Sequence, residues 1–114
     1  MITVTVYRLP NGFIRRFEAT GHAGLANEGS DIICSAVSAI AQTVIGSLED
    51  LAGLKVEYLL EDGNIRCEIP DPETMPSGQY LIAKSLMDSC ELGCRQISQS
   101  YGNDYVTVKE AIFD

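Results

Sequence analysis

Histidine occurs once in this chain, and no two of its four cysteines are spaced as C-x-x-C. A structural zinc site takes four Cys or His ligands, usually in closely spaced pairs, so no metal centre is expected. Basic residues are also scarce, with eight Lys and Arg against sixteen Asp and Glu and a net charge of −8. They gather nowhere more densely than Arg15-Arg16. Nucleic acid is a polyanion gripped by basic patches, so no direct binding of DNA or RNA is expected. No apolar run approaches the ~20 residues that cross a bilayer, and no membrane partner is expected. The opening MITVTVY alternates instead of setting a basic segment before an apolar block. That pattern is not a secretory signal, and a cytoplasmic location is expected, where thiols stay reduced.

What is present suits one soluble domain over residues 1–114, with 46% apolar and 21% charged residues. Ile2, Val4 and Val6 alternate with Thr3, Thr5 and Tyr7, an Asn11-Gly12 turn follows, and alternation resumes over 13–20. This predicts a β-hairpin. Residues 21–30 carry three glycines and no regular period, and read as a mobile loop. Ile33, Val37, Ile40, Val44, Leu48 and Leu51 then share one helical stripe, predicting a helix over 32–52. Ser30 or Asp31 is its expected cap and Gly53 its stop.

Val56, Tyr58 and Leu60, an Asp62-Gly63 turn, and Ile65, Cys67 and Ile69 make a second hairpin. After a loop with two prolines, residues 77–100 form a second helix with Ile82, Leu86, Cys90, Gly93 and Ile97 inward, and 105–110 a last strand. The ββαββαβ order predicts an α+β two-layer sandwich. Both helices would cover one face of a mostly antiparallel five-stranded sheet.

Chemistry concentrates in GHAGLANEGSDIICSAVS, residues 21–38, which holds His22 and Cys34. With the cap at Ser30 or Asp31, Cys34 falls in the first helical turn, where unpaired amides and the helix dipole favour a thiolate. Its row continues through Ser38, Ala41 and Ile45, and the small residues that border the thiol leave room beside it. Cys67, Cys90 and Cys94 lie on apolar faces and read as core. Gly21, Gly24 and Gly29 would let the loop carry the imidazole to the thiol, although a surface histidine on an ordinary loop fits the same residues. Asp31 either orients His22 or only caps the helix. Ser38 either bonds near the thiolate or substrate, or only fills a helix contact.

The string around these residues resembles the ribosomal-processing cysteine protease family, Prp. Gly21, His22, Ala23, Gly29, Asp31, Ile32, Ile33, Cys34, Ala36 and Ser38 carry the match. The resemblance implies a Cys34–His22 dyad and no cofactor. It further implies homodimers, and a substrate that is the basic N-terminal extension of a bacterial ribosomal protein, the twenty-seventh of the large subunit. An acidic surface would steer such a partner, though plain solubility explains the charge as well. Two rival readings stand beside the protease. One is a non-catalytic ribosome-assembly factor that binds a basic ribosomal protein. The other is a redox or acyl-carrying role for Cys34, which the lack of a nearby resolving cysteine weakens.

Overall fold

The computed structural model describes residues 1–22 and 28–114, with the side chains of 28–31 left out of the description. The first hairpin pairs β1 (Ile2–Arg8) with β2 (Ile14–Gly21) in antiparallel register, from Ile2 opposite Gly21 to Arg8 opposite Ile14. A 23-residue helix, α1 (Glu28–Asp50), follows. The second hairpin joins β3 (Glu57–Glu61) to β4 (Asn64–Glu68). A short 3-10 turn at Pro72–Thr74 stands in the expected proline loop, and α2 (Ser77–Tyr101) runs back to β5 (Val106–Ile112).

The five strands lie in the order β3-β4-β2-β1-β5. All neighbours are antiparallel except β1 and β5, which run parallel with Ile2 opposite Val106. The sheet is thus mixed and mostly antiparallel, as the alternation predicts. Strand alternation sends Ile2, Val4, Val6, Phe17, Ala19, Ile65, Cys67 and Val106 to one face, where they are buried. Ile33, Val37, Ala41, Val44, Ile45 and Leu48 of α1 join the same core with Ala83, Met87, Cys90 and Cys94 of α2. Burying one of the larger of these side chains contributes about 1.5–3 kcal/mol.

Three expectations need correction. First, α1 opens at Glu28, not after a cap at Ser30 or Asp31, so Gly29, Ser30 and Asp31 all belong to the helix. Gly24 lies outside the described residues. The expected 21–30 loop loses Gly21 to β2 and 28–30 to α1.

Second, the α2 stripe is turned by one residue. Ala83, Met87, Cys90, Cys94 and Ser98 face inward, whereas Ile82 is 40% exposed. Close approach to α1 decides this: a Cβ on Gly93 would sit 3.0 Å from Ile40 Cδ1. Small side chains therefore occupy the crossing, and larger ones flank it.

Third, Ile32–Asp50 is long and apolar enough to cross a membrane by length and composition, with a mean hydropathy of 1.5. Here its apolar side faces the core, and Leu51, expected inward, is 67% exposed beyond the helix end. Gly53 does turn the chain after α1, at φ +67, with the Leu54 amide donating to the Leu48 carbonyl at 3.0 Å.

Candidate active site

His22 follows the last residue of β2, and the backbone there has little freedom. Gly21 has φ +94, and a Cβ on it would lie 2.4 Å from the Met1 carbonyl oxygen. Only glycine fits both the left-handed conformation and that close approach. The Gly21 amide donates to the Gly63 carbonyl at 2.9 Å, so the end of β2 is tied to the β3–β4 turn. His22 is thereby delivered to the rim of the sheet, beside that turn.

Cys34 arrives from the helical layer. It is half-buried and packs against the core without being enclosed by it. As the seventh residue of α1 it sits in the second turn. The pull of a helix dipole on a negative charge fades within the first turn. Cys34 therefore lies about a turn further from the helix start than the expected cap would have placed it.

One cleft joins the two residues. Its described walls include Gly21 and His22 from the end of β2, Cys34, Val37 and Ser38 from α1, and Glu61, Asp62, Gly63 and Asn64 from the β3–β4 turn. Ile2, Ala19 and Ile65 floor it from the sheet. Ser38 thus shares the cleft with the thiol one turn earlier, as its row on the helix predicts. The side chain of Asp31 lies outside the described residues.

The β3–β4 turn supplies neighbours to His22 that an Asp-Gly turn signal does not predict. The His22 Nδ1 is 4.0 Å from a carboxylate oxygen of Asp62, an exposed contact beyond hydrogen-bond range. Asp62-Gly63 was legible as a turn. Its approach to His22 was not, because that depends on β4 pairing with β2 so that Asn64 stands opposite Thr20.

The other three thiols differ in kind. Cys67, Cys90 and Cys94 are buried in the core. Burial, with the fields of Glu49 and Glu68, pushes the Cys67 thiol up to about 12. Cys90 is raised as well, by its hydrogen bond with Cys94 and by burial. Among the described residues, no group of three or more His, Cys, Asp or Glu side chains is placed to hold a metal ion.

The cleft pairs a partly accessible thiol with the single imidazole, and the matching family model, described as cysteine protease Prp, spans residues 1–107. The chain belongs to the Prp cysteine protease family. It is 38% identical over 89 residues to the ribosomal processing cysteine protease Prp of Bacillus subtilis strain 168, covering 72% of this chain and 78% of that one. The crystal structure of SMU.848 from Streptococcus mutans matches with a TM-score of 0.79 at 29% identity, over 99% of this chain and 96% of that chain.

The essential ribosomal processing protease Prp from S. aureus, solved with a covalently linked product peptide, shares the fold. Its TM-score is 0.81 at 20% identity, over 96% of this chain and 99% of that chain. The chain is accordingly a cysteine protease of the ribosomal-processing family. Membership replaces the non-catalytic assembly factor with an enzyme, and the two-helix, five-stranded architecture is that of the Prp structures.

Proposed function

We propose that Cys34 and His22 form the dyad of this protease, and that it removes the basic N-terminal extension of the twenty-seventh protein of the bacterial large ribosomal subunit. The observation that carries the assignment is the shared cleft, lined by both residues from separate structural layers. In this reading His22 takes the proton from the Cys34 thiol, and the thiolate attacks the scissile carbonyl. The imidazolium then gives its proton to the leaving amine, and water hydrolyses the thioester. Backbone amides near the start of α1 are the oxyanion donors this reading favours.

The Prp relatives support the substrate class: the B. subtilis protein is named for ribosomal processing, and an S. aureus Prp was solved with a substrate peptide. The net charge of −8 suits a basic extension. We extend the proposal to a cytoplasmic homodimer. Light scattering of the purified protein reads the mass, and a monomer at micromolar concentration removes the dimer.

The decisive experiment mixes the enzyme with the extended ribosomal protein and reads the products by mass spectrometry. The wild type releases the extension, and both Cys34→Ala and His22→Ala leave it intact. Cleavage retained by either variant overturns the dyad.

A further inference from the structure

We propose that the turn at Asp62 and Gly63 is the platform that positions the catalytic imidazole, with Gly63 as its seat and Asp62 as an orienting carboxylate. The inference rests on the dyad reading and adds positioning residues to it. A Cβ built on Gly63 would lie 2.7 Å from the His22 Nε2, 3.1 Å from Cε1 and 3.4 Å from Cδ2. The Nε2 end of the ring therefore occupies the space a side chain on residue 63 would need. Gly63 also has φ +73. Its carbonyl accepts the Gly21 amide at 2.9 Å, so one glycine fixes both the backbone before His22 and the ring itself.

These contacts hold the imidazole against the hairpin wall of the cleft whose helical wall carries Cys34. Asp62 completes the platform from the other edge of the ring, with Oδ1 4.0 Å from Nδ1. Its carboxylate acts most strongly when the ring is protonated during turnover. At 97% exposure it is heavily screened, so its share is the smaller one. The steric seat feels no such screening. Salt therefore separates the two roles.

The fold carries its own control. Gly12, in the β1–β2 turn, has φ +91, and a Cβ there meets nothing within 4 Å. Gly63→Ala and Gly12→Ala thus impose similar backbone strain, and only the first displaces His22. We expect both to lower Tm comparably, but only Gly63→Ala to cut kcat, by roughly a hundredfold with KM little changed, since small misplacements of a reacting group cost that much. Asp62→Asn should cost about threefold at low salt and almost nothing at high salt, with Asp62→Glu restoring activity.

Because the chain has a single histidine, its ring protons are assigned without ambiguity by NMR. The wild type should show a nuclear Overhauser effect from the ring to the Gly63 α protons. Absence of that effect, or equal kcat in the two glycine variants, overturns the seat. An Asp62→Asn loss that persists at high salt overturns the electrostatic role. If Gly63→Ala does not fold, the wild-type spectrum decides alone. Cleavage by His22→Ala would instead remove the dyad itself. An inactive His22→Ala beside a fully active Gly63→Ala removes only the platform.

Discussion

The two helices share one face of the sheet and are of similar length, yet they are held and used in opposite ways. α2 is tied down by polar contacts. Glu91 bonds to Arg8 of β1 at 2.5 Å and to Arg95 at 3.0 Å, while the Ser98 hydroxyl donates to the Val106 carbonyl at 2.7 Å. Arg8 also reaches Glu110 of β5 and the Gly12 carbonyl, so one guanidinium joins α2 to two strands and a turn. Among the described residues no ion pair attaches α1, which is held by its apolar side. The cysteines follow the same division, since α2 encloses Cys90 and Cys94 whereas α1 leaves Cys34 half-open at the cleft. The helix pinned by charge is scaffold. The one held by packing presents the thiol that opens on the cleft.

The sharpest break of that comparison is a pair of alanine substitutions. Cys34→Ala should lower cleavage by more than about a thousandfold with Tm nearly unchanged. Cys90→Ala should keep cleavage and lose about 1 kcal/mol of stability from its buried sulfur. Loss of cleavage in a folded Cys90→Ala protein would blur the division. Thiol mapping comes next. Iodoacetamide on the native protein should modify Cys34 and spare Cys67, Cys90 and Cys94, and urea should release all four, read by peptide mass spectrometry.

The anchoring of α2 can be titrated away. Burial opposes the charge on Glu91, but its bonds to Arg8 and Arg95 outweigh that and hold the carboxyl below the ordinary glutamate range. A carboxyl depressed in the folded state contributes stability that is fully present above the unfolded value of about 4.3. That contribution is lost as pH falls through the lower folded value. Tm should therefore fall below about pH 4. Glu91→Gln should lose about 1–3 kcal/mol at pH 7 and flatten the acid limb. The smallest effect lies where the helices cross. In Gly93→Ala the gain in helix propensity, up to about 1 kcal/mol, opposes the contact with Ile40 Cδ1, and the net change in Tm should be slight.

The elements with one strong period were readable from the chain alone. Both hairpins, both helices and the last strand stand within a few residues of where alternation and 3.6-residue spacing place them. The inward face of α2 was not readable, because bulk on a stripe argues for Ile82 while the crossing selects Ala83 and Gly93. At the site, Cys34 stood out from three core thiols by its helical row, and Gly21-His22 by its glycine. The start of α1 escaped, since a run of Glu, Gly, Ser and Asp can cap a helix or open one. Asp62 and Gly63 escaped for another reason. They approach His22 through strand pairing, which links residues some forty positions apart and leaves no local pattern.

The parallel pairing of β1 with β5 sets the order in which the chain becomes safe from other chains. β2 can cover one edge of β1 as soon as the first hairpin emerges from the ribosome. The opposite edge waits for Val106–Ile112, made last among the strands at about 5–20 residues per second. For several seconds the nascent protein carries a strand with one open edge, its Ile2, Val4 and Val6 alternating with Thr3, Thr5 and Tyr7, a template for association. A charge on the solvent face of β1, at Thr3 or Thr5, would guard that interval without touching the cleft.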